Sequence, residues 1–362
     1  ANVIADLNTV ESQNPFLGGT NTGNNGRVWV DKSVTIDSNF NYSTFDTISN
    51  GEFNVILSAL GQEFEVNQNK PVAADVVFVL DVSGSMQSMV SGSNITRAQA
   101  SVNAINTAIT KLMESNSETR VAVVTFSGPS TATSGISANN YSKVLLPLAS
   151  YSANNQDKND GYPYLKYSTS RKGDNKTYTV SKATNLSVSG AEISSVNFDG
   201  GTYTQAGLQK GSKLLVNSSN PGERLPALIL VSDGRPTYGA SSYTNVGTSQ
   251  YGNGVEKEDS DAGKMGYYTI LTAQYQKSQI ASHYSKTPLI YTLGLGITDQ
   301  FGKTVLNPTQ ANVKLLDDNK DSQEELKSLL NKTSDNPFNK TSYANYSESG
   351  NMTAEQINSL LA

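Results

Sequence analysis

The chain has 362 residues, 36% of them hydrophobic and 16% charged, with a formal net charge of −5 and no cysteine. That balance suits one large domain with additions, or two domains, and carries too little charge for a disordered polyelectrolyte. It excludes a disulfide framework, thiolate metal sites and a cysteine nucleophile; with no Lys/Arg block and no apolar run of bilayer length, it also argues against a nucleic-acid surface and against membrane insertion.

The opening "ANVIADLNTV" has neither a basic start nor an apolar stretch and is read as carrying no secretory signal. Residues 1–71 hold two short β-type runs, "GRVWVDKSVTI" and "FNVILSAL", among Asn/Gly/Ser-rich turns, and predict a β-rich N-terminal segment. Within it, Lys32 is a candidate for a side-chain isopeptide bond to an Asn, with no partner that sequence can place. From residue 72 onward the pattern changes. Four apolar runs, "VVFVL" (76–80), "VAVVTF" (121–126), "ALILV" (227–231) and "LIYTLGL" (289–295), read as strands buried on both faces, as in a parallel sheet. Between the first two, Ile95, Ala98, Val102, Ile105, Ile109 and Leu112 recur three or four residues apart and make one helix face. Segments 204–217 and about 263–284 also predict helices, and "TAEQINSLL" (353–361) opens with capping-box spacing from Thr353 to Gln356. The expected fold over 72–362 is a doubly wound α/β domain with a mostly parallel sheet. Two connections, 128–199 and 236–260, greatly exceed the usual α/β loop length and read as inserted arms.

The chemistry gathers at the ends of the strands. "VVFVL" runs directly into Asp81, followed by Ser83 and Ser85 at alternate positions. "LILVSDG" places Asp233 at the end of another strand, and "GGTYT" places Thr202 just before a helix, with Thr204 as the alternative threonine. In an open parallel sheet the ligand crevice forms at the carboxyl ends of the strands, at the topological switch point. Two carboxylates and three hydroxyls from three loops are hard oxygen donors suited to Mg²⁺, with Mn²⁺ or Ca²⁺ as alternatives.

These motifs resemble the von Willebrand factor type A domain and its metal-ion-dependent adhesion site. The residues carrying the resemblance are "DVSGS" (81–85), "GGT" (200–202) and "SDG" (232–234), in the family's order. The resemblance implies that Asp81, Ser83, Ser85, Thr202 and Asp233 form the metal site, with the hydroxyls binding the ion directly. The two arms and the β-rich leader extend the likeness to tip adhesins of sortase-assembled pili and related wall-anchored proteins of Gram-positive bacteria. The expectation that this likeness carries is a non-enzymatic adhesin of the bacterial cell surface, wall or pilus. Its partner would be a host or extracellular-matrix protein offering an Asp or Glu to the ion, with other pilus subunits as further partners. The alternative is a structural pilus or wall subunit with a stabilising metal.

Other signals are weaker. The single histidine, His283, ends a predicted helix far from any G-x-S-x-G elbow and reads as a helix-terminal residue. "DDNKDSQEE" (317–325) has calcium-loop spacing at its start but lacks the glycine and the closing glutamate, so it reads as a solvated turn. The tyrosines of the arms (151, 162, 164, 167, 178, 238, 243 and 251) suit either a ligand-contacting rim or small cores of their own.

Overall fold

In the computed structural model the chain divides into two compact units, Ala1–Asn69 and Lys70–Ala362. The structure describes residues 28–35, 54–61, 72–90, 94–131, 135–152, 162–184, 186, 188–255, 261–297, 300–316, 320–330 and 340–341. In the first unit, β1 (Val28–Thr35) and β2 (Asn54–Gly61) form an antiparallel pair whose register runs unbroken from Val28↔Gly61 to Thr35↔Asn54. Lys32 stands opposite Leu57 in that ladder. Its side chain, and the helix expected at 353–361, lie outside what is described.

The second unit runs β3 (Ala74–Asp81), α1 (Arg97–Ser115), β4 (Arg120–Phe126), the single turn α2 (Ala138–Tyr141), β5 (Ser142–Ala149), β6 (Leu165–Lys172), β7 (Asn175–Lys182), β8 (Ser195–Asn197), α3 (Thr204–Val216), β9 (Leu225–Ser232), α4 (Ala262–Tyr284), β10 (Leu289–Gly294), α5 (Gln300–Leu306), α6 (Lys320–Leu330) and β11 (Lys340–Thr341). The main sheet has the order β11-β10-β9-β3-β4-β5. Every pairing in it is parallel except that of β4 with β5. The chain builds outward from β3 through β4 to β5, then returns to the other side of β3 with β9. The switch point therefore lies between β3 and β9, whose carboxyl ends carry Asp81 and lead into Asp233.

The alternation of side chains along a strand explains why these runs are apolar throughout. Val76, Phe78 and Leu80 of β3 face one way and join a core with Val102, Ile105 and Ile109 of α1. Val77 and Val79 face the other way, into a core with Leu208 and Leu215 of α3 and Ala273 and Ile280 of α4. Each face has its own helix layer, which makes the fold the doubly wound α/β class expected from the strand pattern. Helix α1 opens on Thr96, whose hydroxyl accepts from the Gln99 amide at 3.1 Å.

The stretch 128–199, expected as one inserted arm, is divided by the structure. Residues 142–149 are β5, the antiparallel edge of the main sheet. Only 165–197 forms a separate three-stranded sheet, β6-β7-β8. That small sheet is tied to α1: Asn106 donates to the Leu165 carbonyl at 2.8 Å and accepts from its amide at 2.9 Å, as a neighbouring strand would. Tyr151, Tyr164, Leu165, Tyr167, Val180 and Phe198 share the core of α1 and β3. The segment is consequently part of the hydrophobic interior.

Candidate functional site

Three loops meet beyond the carboxyl ends of β3 and β9. After Asp81, Val82 continues the ladder by donating to the Phe126 carbonyl at 2.9 Å. The chain then turns into a 3-10 turn, Gly84–Gln87, anchored by the fully buried Met86. This turn carries Ser85, with Ser83 just before it. The residue between them meets the next loop through its backbone: Gly84 donates to the Gly200 carbonyl at 2.8 Å, and Asp199 donates from its amide to the Val82 carbonyl at 2.8 Å. Gly200 has φ +78°, and a Cβ there would lie 1.9 Å from the Gly128 carbonyl oxygen. Only glycine fits that crossing. Thr202 is fixed through its backbone, its amide donating to the Thr237 hydroxyl at 2.7 Å and its carbonyl accepting from the Thr237 amide at 2.9 Å.

The side chains of Asp81, Ser83, Ser85 and Asp233 come together. Asp81 is fully buried and accepts from the Ser83 amide at 2.8 Å on Oδ1 and from the Ser232 hydroxyl at 2.7 Å on Oδ2. The Ser83 and Ser85 hydroxyl oxygens lie 3.1 Å apart. Asp233 is 6% exposed and pairs with Arg97 at 3.0 Å through Oδ2, while its Oδ1 is buried without a hydrogen-bond partner. Thr202 is brought alongside by backbone contact and is itself buried. Thr204, the alternative threonine, sits at the first position of α3, and its hydroxyl is buried without a partner.

The electrostatics show a strained centre. Burial, then the neighbouring Asp233 carboxylate, pushes the Asp81 carboxyl up to about 7, although hydrogen bonds from Ser83 and Ser232 pull the other way. Burial also raises Asp233, against the Ser85 hydroxyl and the Arg97 guanidinium facing it. Two buried carboxylates side by side are each expensive to ionise.

The donor set fits a small hard dication. An orphaned carboxylate oxygen, a second carboxylate and a cluster of hydroxyls are its preferred ligands. In an octahedron with bonds of about 2.0–2.1 Å, adjacent ligand oxygens stand about 3 Å apart, which is the Ser83–Ser85 spacing.

Two contributors escape sequence reasoning. Ser232, lying within "SDG", orients Asp81. Arg97 reaches Asp233 across 136 positions of sequence and also donates to the Gly296 carbonyl at 3.0 Å. No local signal marks Arg97 beyond its being a cation at the start of a helix.

The remaining candidates are structural. His283, one residue before the end of α4, bonds through Nε2 with the Ser218 carbonyl at 3.0 Å. Tyr151, Tyr164, Tyr167 and Tyr238 are buried, whereas Tyr243 is exposed and Tyr251 stacks on Tyr268. The beginnings of the two long connections are zipped together beside Thr202. Tyr238 donates from its amide to the Thr202 carbonyl at 3.1 Å and from its hydroxyl to the Pro129 carbonyl at 2.9 Å; Gly135 donates to the Ser249 carbonyl at 2.8 Å. The start of "DDNKDSQEE", residues 317–319, lies outside the described residues.

Residues 76–164 match the family model described as von Willebrand factor type A domain. The match bears out the resemblance over the stretch that holds "DVSGS", with "GGT" and "SDG" lying beyond it, and the α/β fold agrees with it. No curated protein matches the chain. Among solved structures, the chain is similar to the pilus adhesin SpaC from Lactobacillus rhamnosus GG, at 20% identity over 88% of this chain and 35% of that one, with a TM-score of 0.41. It is similar to the pilus adhesin RrgA from Streptococcus pneumoniae, at 17% identity over 85% of this chain and 46% of that one, with a TM-score of 0.36. It is also similar to proximal thread matrix protein 1 from the mussel byssus with a zinc-occupied MIDAS motif, at 13% identity over 72% and 46%, with a TM-score of 0.31. The chain spans about a third of the SpaC chain and under half of the other two.

Proposed function

We propose that this chain is a metal-dependent adhesin of a bacterial cell surface, wall or pilus. In this reading Asp81, Ser83, Ser85, Thr202 and Asp233 hold Mg²⁺ or a similar ion, and a host or extracellular-matrix protein supplies a carboxylate to it. The observation that carries the reading is the buried, unpartnered Oδ1 of Asp233 beside the buried carboxylate of Asp81. Arg97 offsets only one of the two carboxylates, so the pair, once ionised, is still one positive charge short. When bound, a hard dication supplies that charge and a coordination position open to an anionic oxygen.

The chain's own residues supply the rest. Ser232 and the Ser83 amide fix the orientation of Asp81, the Gly84–Gly200 contact fixes the spacing of the first two loops, and Thr237 fixes Thr202. The reading is non-enzymatic. The single histidine is engaged with Ser218, and the acids that meet at this site are the proposed ligands themselves. Among the described residues no helix is long and apolar enough to cross a membrane.

The test is adhesion to immobilised matrix proteins and host cells, with Mg²⁺, with EDTA, and with Asp81→Ala. Adhesion should require both the metal and Asp81. Adhesion unchanged by EDTA and by the substitution would show that binding resides elsewhere.

A further inference from the structure

Arg97 occupies an unexpected position. It is the first residue of α1, just after the Thr96 cap. A helix start carries partial positive charge, so a cation there is opposed by the helix. Something else holds it in place. Its guanidinium donates from Nη1 to Asp233 Oδ2 at 3.0 Å and to the Ser85 carbonyl at 3.4 Å, and from Nη2 to the Gly296 carbonyl at 3.0 Å. It thus bridges the loops after β3, β9 and β10. Gly296 has φ +61°, and a Cβ there would stand 2.4 Å from Arg97 Nε. The cradle is open only because residue 296 is glycine. The side chain remains 18% exposed, so its charge is felt at the surface of the site.

From this geometry we infer that Arg97 is the residue that makes the loaded site select an anionic partner. The inference rests on the metal-site reading above. Two aspartates alone would cancel the charge of a dication and leave a neutral centre with little pull on an outside carboxylate. Arg97 adds one positive charge within the same cluster, and its guanidinium cannot shed it. The loaded centre then carries a net single positive charge in a partly desolvated place, where such charges act strongly. The same cation opposes the metal. Arg97 therefore trades metal affinity for ligand selectivity, and removing it should move the two affinities in opposite directions. A residue that merely supports the loop would weaken both.

The experiment uses the full chain with Mn²⁺ alone and then with acetate as the probe carboxylate, at low ionic strength. Water-proton relaxation reports both Mn²⁺ binding and displacement of its bound water by acetate. Arg97→Gln should bind Mn²⁺ on the order of tenfold more tightly and acetate on the order of tenfold more weakly than the unsubstituted chain. Gly296→Ala, which displaces the guanidinium without deleting it, should shift both in the same directions by a smaller factor, and it decides the matter if Arg97→Gln does not fold. Weaker Mn²⁺ binding in both variants, or unchanged acetate binding, would overturn the inference while leaving the metal site standing. Absence of Mn²⁺ binding by the unsubstituted chain would overturn both.

Discussion

Strand β3 carries a buried aspartate at each end, and the two are treated in opposite ways. Asp75, at the amino end, is fully buried and faces Arg120, which donates to it through Nε at 2.7 Å and through Nη2 at 2.5 Å. Tyr284 donates to it at 2.5 Å, and Arg224 stands 3.5 Å away. Asp81, six residues on, faces another carboxylate and is met by neutral groups of Ser83 and Ser232. The first is a closed ion-pair cluster that needs nothing from outside. The second is left short of positive charge, the imbalance on which the proposed cation site rests. Burial of an aspartate is thus no sign of function by itself; the sum of charge around it is.

The largest expected effect lies at the closed end. Asp75→Ala takes the shared acceptor from the half-buried Arg120 and from Tyr284 and should cost about 3 kcal/mol, lowering the melting temperature by roughly 10 °C. Thermal unfolding should show this loss with Mn²⁺ binding retained at 25 °C. If removing Asp75 proved harmless while Asp81→Asn unfolded the protein, the assignment of structural and functional ends would be reversed.

Next comes the open end, where the sign inverts. Asp81→Asn removes a buried, poorly compensated charge, so the metal-free protein should gain stability at pH 7.5. It should also lose the stabilisation that excess Mg²⁺ gives the unsubstituted chain, about 2.7 kcal/mol at a hundredfold excess over Kd. Denaturant titrations with and without Mg²⁺ measure both. A metal-free Asp81→Asn protein that is less stable would show that the carboxylate is already compensated.

The pH dependence sharpens the same contrast. Asp81 keeps its proton to about 7 in the fold, against an ordinary value of 3.8. Between those values the folded state holds more protons than the unfolded one, so this group's contribution makes stability fall as pH rises and level off above about 7. Stabilisation by Mg²⁺ should behave in the reverse manner, appearing as pH rises and the carboxyl ionises. Urea midpoints from pH 4.5 to 8 in EDTA should show a slope that Asp81→Asn flattens. An identical slope in the variant would place the titration elsewhere.

The smallest effect concerns His283. It borders the closed cluster through Ser218, whose hydroxyl lies 2.9 Å from that of Tyr284. His283→Ala should cost under about 1.5 kcal/mol, the worth of an ordinary hydrogen bond, and leave Mn²⁺ affinity unchanged by calorimetry. A change in metal binding would link the two ends of the strand in a way the contacts do not provide.

Much of this was legible in the sequence because apolar runs and helical spacing are local. The runs that became β3, β4, β9 and β10 were visible within a residue or two, as were α1, α3 and α4. The grouping of Asp81, Ser83, Ser85 and Asp233 followed from a general property of parallel sheets, that loops at one end share a crevice. What escaped was set by tertiary contact. β5 hid inside a Ser/Asn-rich stretch, with Pro147 within it, a residue tolerated there because the strand is an edge. The buried tyrosines of the first long connection gave no sign from their spacing that they would join the core of α1. Arg97 could not be assigned to Asp233 without knowing that α1 begins beside β9. Asp75 read as the polar border of an apolar run, and only the fold shows Arg120, Arg224 and Tyr284 gathering on it.

The central claim is that the open end of β3 is a divalent-cation site and the closed end is not. Isothermal titration of the EDTA-stripped, dialysed chain with Mn²⁺ at pH 7.5 tests it directly, alongside Asp81→Asn, Asp233→Asn and Asp75→Asn. One ion should bind per chain, with binding lost in the first two variants and kept in the third. No binding by the unsubstituted chain, or binding that survives both Asp81→Asn and Asp233→Asn, would contradict it.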